Sequence, residues 1–219
     1  QHKRRFMNYF QTPLFKNISE DEYKEMMTKN FTKKKEYKKS SFIFHAEDII
    51  SEIGLVTCGQ VLIQHTDFNG NEIIISHIDA GQIFAESYAL CKEPLMVNAI
   101  AADYTKVLFL DTDMFTDESN MRYSWYPKML ANLLKISAGK NLALSNRIFC
   151  TGPKTIRNRL MIYLSSQAAK AKSSEFSIPF NRQQMADYLN LDRSALSKEL
   201  CKMRDEGIIT FHKNHFHIL

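Results

Sequence analysis

Much that would mark an enzyme, a secreted protein or a membrane protein is missing from this 219-residue chain. Only four cysteines occur, at positions 58, 91, 150 and 201. Their separations match neither a paired metal knuckle nor a clustered iron–sulfur run, so four reduced, mostly buried thiols are expected. The longest apolar runs, EIIIS at 72–76 and KVLFL at 106–110, are far too short to span a bilayer. The basic start HKRRF is followed by no apolar signal core, which predicts a cytoplasmic protein. No G-x-S-x-G, phosphate loop or zinc-peptidase helix appears, and the scattered Asp and Glu offer no placed acid/base pair. The expectation is a non-enzyme with no metal. A cupin-like metal-dependent enzyme is the alternative from another class, but it needs converging histidines, and His45, His65 and His77 never stand two at ligand spacing. His212, His215 and His217 do cluster, on a stretch that reads as a surface hairpin.

What the chain does have is an uneven charge. Its net +5 lies wholly after residue 150: residues 151–219 carry 11 Lys and Arg against 6 Asp and Glu, leaving 18 against 18 before them. That asymmetry suggests a polyanion-binding end joined to a neutral body. An apolar content of 44% is ample for a real core.

Along the chain, Ser19 followed by acidic residues predicts a short helix from about 20 to 30. Residues 32–112 then read as short β-branched and aromatic segments cut by turn signals, which argues a sandwich or barrel. Asn69-Gly70, between VLIQHTDF and NEIIIS, is the best hairpin signal. The lysines of TKKKEYKK at 32–39 read as a solvated face or edge protection.

Pro127 suits the first position of a helix that runs to Cys150 without another proline. Leu130, Leu133, Leu134, Leu144 and Ile148, with Ser137 among them, follow a seam of roughly 3.5 residues, and such a seam needs a partner. It could bury against the barrel of the same chain; six turns exceed one small barrel face, so pairing with a second subunit is preferred. Gly and Pro in TGPK at 151–154 mark a domain boundary. The division expected is 1–125, a β-rich domain; 126–150, a dimerisation helix; and 151–219, a separate C-terminal domain.

In NRQQMADYLNLDRSALSKELCKM, residues 181–203, Asn181 and Gln184 form a capping-box-like pair, with Met185, Ala186 and Leu189 inward. Asp192 caps a second helix, with Leu196, Leu200 and Met203 inward and Arg193, Ser194, Ser197 and Lys198 on the other face. A recognition helix inserted in a major groove requires such a face. Gly207 reads as the glycine ending that helix, and IITFHKNHFHIL as a hairpin about Lys213-Asn214, to which FSIPF at 176–180 could add a strand. Helix-turn-helix plus hairpin is a winged helix, which binds double-stranded DNA.

This order of parts, with RQQMADYLNLDRSALSKELCKM in the last, resembles the cyclic-AMP receptor/fumarate–nitrate regulator (CRP/FNR) family of bacterial transcription factors, over almost the whole chain after residue 15. The resemblance implies an α+β fold: an N-terminal double-stranded, jelly-roll-like β-roll holding an effector, a long dimerisation helix and a C-terminal winged helix-turn-helix. It implies a homodimer on a near-palindromic site, with RNA polymerase a possible further partner and no membrane. Arg193 and Lys198 match the family's base- and phosphate-contacting positions, supported by Arg182, Ser194 and Ser197; Ser194 stands where many members carry Glu. IDAGQIFAESYAL at 78–90 resembles the family stretch that cradles a cyclic nucleotide, making Phe84, Ala85, Glu86 and Ser87 effector-pocket candidates, with Glu86 as the ribose-holding glutamate. The family arginine for the phosphate should fall near 96, where Met96 and Val97 stand. Neither neutralises a buried phosphate, so cyclic AMP is not the expected effector; nor is an iron–sulfur cluster, and the small-molecule effector is left unassigned. A constitutive regulator whose β-roll serves only assembly is the alternative within the same class.

Overall fold

The computed structural model describes residues 9–66 and 72–219. Its contacts divide the chain into two compact units, one ending at Ser137 and the other beginning at Ala138.

In the first unit, α1 (Glu20–Thr28) starts on a full capping box: Ser19 Oγ accepts the Glu22 N–H, and Glu22 accepts the Ser19 N–H. The strands that follow are β1 (Thr32–Tyr37), β2 (Phe42–Phe44), β3 (Glu52–Cys58), β4 (Gln60–Thr66), β5 (Glu72–Asp79) and β6 (Ile83–Phe84). A short helix α2 (Glu86–Cys91) separates them from β7 (Asn98–Ala101) and β8 (Thr105–Asp111). They form two antiparallel four-stranded sheets, ordered β1-β8-β3-β6 and β2-β7-β4-β5. Strand β1 is an edge, and its exposed Lys33, Lys34 and Lys35 discourage a further strand there. The strands flanking Asn69-Gly70 pair from Gln60–Asp79 to Thr66–Glu72, with a register shift between Ile63 and Gln64, while the turn itself lies outside the described residues.

Strand β8 shows why both of its faces are apolar. Val107 and Phe109 join Phe44, Val56, Val61 and Phe84 in a cluster drawn from both sheets, while Leu108 and Leu110 pack on the opposite side with Ile53, Leu55 and residues of the helices. A strand covered on both faces cannot alternate apolar with polar. The helical layer comprises α1, α3 (Asp113–Thr116) and the start of α4 (Trp125–Thr151), whose Trp125, Tyr126, Met129 and Leu133 are buried. Pro127 is the third residue of α4, still within the first turn where its missing N–H has no intrahelical role.

The second unit holds the last part of α4, then α5 (Ile156–Ala171), β9 (Glu175–Ser177), α6 (Arg182–Leu189), α7 (Arg193–Asp205), β10 (Ile209–His212) and β11 (His215–Ile218). The sheet is ordered β10-β11-β9, so FSIPF does supply a short third strand. One core unites it: Cys150, Leu160, Tyr163 and Leu164 from α4 and α5, Met185, Ala186 and Leu189 from α6, Leu196, Leu200 and Met203 from α7, and Phe176, Ile209 and Phe216 from the strands. At ~1.5–3 kcal/mol per fully buried large apolar side chain, this shared burial is what holds the four helices to the sheet.

Two expectations need correction. Leu133 is only 5% exposed and belongs to the core of its own chain, so it offers nothing to a second subunit; Leu130 packs half-buried beside it. A heptad count cannot tell a partner's face from the chain's own sheet. The four cysteines are free, but Cys91 and Cys201 are exposed and only Cys58 and Cys150 are buried.

Candidate nucleic-acid interface and effector cradle

The helix pair α6–α7 is set by its caps. Asn181 Oδ1 accepts the Gln184 N–H at 2.9 Å and Gln184 Oε1 accepts the Asn181 N–H at 2.9 Å. Asn190, in the left-handed region at φ 52°, ends α6, and two residues later Asp192 Oδ1 accepts the Ala195 N–H at 2.8 Å to begin α7. Hydrogen bonds from the Ser194 hydroxyl and the Ala195 N–H hold the Asp192 carboxyl below its ordinary range. Gly207, at φ 75°, closes α7 in a conformation that any side chain would strain.

With Leu196, Leu200 and Met203 fully buried, Arg193, Ser194 and Lys198 are left exposed on α7 and Ser197 partly so. The structure therefore brings four of the five predicted contact residues to one face. Their hydroxyls are internally occupied: Ser194 donates to Asp192, and Ser197 Oγ donates to the Arg193 carbonyl at 2.9 Å. Arg182 differs from expectation. Its guanidinium lies over the rings of Phe211 and Phe216, 5.0 and 5.2 Å from their centroids, and burial there lowers its pKa. It braces the wing while still lining a concavity of about 680 Å³ with Arg193, Lys213, Asn214, Asn181 and Gln183. That concavity holds three cations and no carboxylate, an anion-seeking surface at the start of α6. Lys213 and Asn214 were legible only as a turn; they line the same concavity as Arg193, beside the hairpin rings that Arg182 stacks on.

Behind α7, Arg157 of α5 makes a bidentate pair with Glu206 at 2.7 and 3.0 Å and donates to Glu199 at 2.6 Å. These partners raise its pKa and hold Glu206 low. Of the wing histidines, His215 sits between Ser177 Oγ at 3.0 Å and Glu175 Oε1 at 2.9 Å. Among the described residues, no group of three His, Cys, Asp or Glu could hold a metal.

At the candidate effector cradle, α2 begins without a side-chain cap, and its N-cap Ala85 sits at φ 66°. Glu86, the first helical residue, is buried at 5% exposure, and Ser87 is exposed. Phe84 does not line an open wall. It is 2% exposed, 5.9 Å from the Phe44 ring, and so close to Gly54 that a Cβ there would fall 2.3 Å from the Phe84 ring. Met96 is 72% exposed, its carbonyl facing His65 Nδ1 at 3.4 Å, and Val97 is half-buried. Neither presents a cation.

The two units join an antiparallel β-roll to a winged helix-turn-helix, the architecture of a DNA-binding regulator. Residues 34–120 match the model of the cyclic nucleotide-binding domain, and residues 158–219 match the Crp-like helix-turn-helix domain. The chain belongs to the CRP/FNR family of transcription regulators. Among solved structures it is similar to a CooA variant from Carboxydothermus hydrogenoformans, at 17% identity, TM-score 0.57 and coverage of 99% of this chain and 93% of that one. It is also similar to the Thermus thermophilus catabolite activator protein, at 19% identity, TM-score 0.51 and coverage of 95% and 94%. A third likeness is to the c-di-GMP responsive global regulator CLP of Xanthomonas campestris, at 12%, 0.51, 91% and 99%. Likenesses at these identities carry the fold alone. No curated protein matches the chain, and no described helix is long and apolar enough to cross a membrane.

Proposed function

We propose that this regulator acts as a cytoplasmic homodimer on near-palindromic double-stranded DNA, with α7 of each protomer in a major groove and the half-sites about one helical turn apart. The observation that carries this is the division of α7 into a fully buried apolar face and an exposed face bearing Arg193, Ser194 and Lys198. Arg193 reads base edges, Lys198 neutralises phosphate, and Lys213 and Arg182 meet the backbone beside them. The exposed Leu134, Leu142, Leu144, Ile148 and Phe149 of α4, with Ser137 among them, supply the apolar surface for the partner subunit. RNA polymerase is a further partner in this reading.

The effector is not cyclic AMP. Glu86 stands at the start of α2, but Met96 and Val97, near where the family's phosphate-binding arginine falls, supply no cation to a cyclic nucleotide phosphate. The packed Phe84 also favours a second reading, in which the roll takes no ligand and serves assembly alone. Selection of bound duplexes from a random library by the purified chain, with and without cyclic AMP, tests both: a near-palindromic sequence unaffected by cyclic AMP is expected. Arg193→Ala should then cost about 1–3 kcal/mol on the selected duplex and relax preference at one position of each half-site. An unchanged sequence preference refutes the role of Arg193.

A further inference from the structure

The turn between α6 and α7 is held from behind by two arginines that no reading of the interface uses. A helix end leaves its last carbonyls without intrahelical donors. Here Asn190 and Leu191 return N–H groups to Asp187 and Ala186, and the rest of the end is met by guanidinium groups. Arg147, near the end of α4, donates from Nη2 to the Asp187 carbonyl and from Nε to the Tyr188 carbonyl, each at 3.3 Å. Arg159, on α5, donates from Nη1 to the carbonyls of Leu189 and Asn190 at 3.2 and 3.0 Å. Its Nε donates to the Pro153 carbonyl at 2.7 Å, in the joint between α4 and α5. Four consecutive carbonyls, Asp187 to Asn190, thus accept from side chains of two other helices. The negative end of the α6 dipole favours both cations.

Asp192, which starts the reading helix, follows Asn190 by two residues. The end of α4 is also fixed to this unit by Cys150, buried in the shared core. We propose that Arg147 and Arg159 are positioning residues for DNA reading: they staple the α6–α7 turn to the end of α4, so that the direction of α4 sets the direction of α7. This rests on the reading of α7 as the recognition helix and of the regulator as a dimer. Because the staple grips main-chain carbonyls, it does not depend on which side chains the two reading helices carry. Lysine, without a fixed fork, cannot replace either arginine: Arg147 reaches two carbonyls from Nε and Nη2, and Arg159 holds the turn from Nη1 while its Nε holds Pro153.

The test uses the full chain and the duplex recovered by selection, together with duplexes whose half-sites are one base pair closer or farther. Arg147→Ala should melt like the parent, bind the selected duplex about tenfold more weakly, and lose most of its preference for the selected spacing. Arg147→Lys should recover little of that preference, and Arg159→Lys should behave the same way. The dependence of log affinity on log salt should stay at the parental slope, because no phosphate contact is removed. A spacing preference that survives Arg147→Ala overturns the proposal. So does a salt slope reduced by about one, which would make Arg147 itself a phosphate contact. Arg193→Ala run in parallel separates the two levels: if it leaves the recognised sequence unchanged, the reading of α7 fails and the staple with it, whatever Arg147 does.

Discussion

Helices α2 and α7 begin in opposite ways. Asp192 starts α7 in an extended conformation, its carboxylate takes an orphan N–H, and the 13-residue helix behind it displays charge to solvent. Ala85 starts the six-residue α2 in the left-handed region with no side-chain cap, and the carboxylate that follows it, Glu86, is buried. The first helix obeys local rules, and so it would begin at this point in many surroundings. The second violates them, at about 1–2 kcal/mol for a non-glycine residue in that region, and is held only because the roll around it is packed. The reading head is therefore built from local signals and the cradle from tertiary ones.

The hardest blow to this contrast is at Phe84. If the cradle exists by virtue of the packed roll, Phe84→Ala should cost about 3–5 kcal/mol in urea unfolding of the full chain; a cost under about 1 kcal/mol would mean the interior does not depend on that ring.

Acid separates the two regions next. Burial would push the Glu22 carboxyl up, but donors from Lys128, the Ser19 N–H and Ser124 outweigh it and hold the pKa at about 2, against an ordinary 4.5. A carboxylate with a depressed native pKa contributes stability that is complete above about pH 4.5 and drains away as pH falls toward 2. Glu22→Gln, which keeps the capping pattern, should cost about 1–3 kcal/mol at pH 7 and flatten that acid limb. The pairs of Arg157 with Glu199 and Glu206 are more exposed, so Glu206→Gln should leave the limb in place. Thermal melts from pH 7 to 2 decide this.

Smaller effects test the helix starts directly, and they should have opposite signs. Asp192→Ala should destabilise by about 0.5–2 kcal/mol, whereas Ala85→Gly should stabilise by a fraction of 1 kcal/mol, because glycine accepts the left-handed region without strain. Equal signs in denaturant melts would erase the distinction drawn above. Smallest of all, Ser197→Ala should change affinity for the selected duplex by less than about 0.5 kcal/mol, since its hydroxyl already serves the Arg193 carbonyl.

The same division explains what could be read in advance. Asn181, Gln184, Asp192 and Gly207 are local signals, and the inward stripe of Leu196, Leu200 and Met203 follows from 3.6-residue periodicity, so the winged helix was legible nearly residue by residue. The antiparallel roll was legible too, from turn signals and the apolar run of β8. Leu133 misled because a periodic stripe says that something must cover it and not what does. Phe84 lies on a two-residue strand, too short to alternate, so nothing local distinguished wall from filling. The stacking of Arg182 could not be read in advance because its partners, Phe211 and Phe216, stand some thirty residues on. Arg147 and Arg159 left no trace at all, since their partners are main-chain carbonyls, which every sequence possesses.

The single tryptophan, Trp125, is wholly buried at the start of α4, with its ring stacked on Tyr123 at 5.3 Å and 9° between planes. One indole in one dry setting gives the chain an intrinsic fluorophore with a single origin. Its emission should be blue in the native protein and redden when the core beneath α1 and α4 takes up water. A compound that alters this emission would announce itself in the N-terminal unit, without label or DNA.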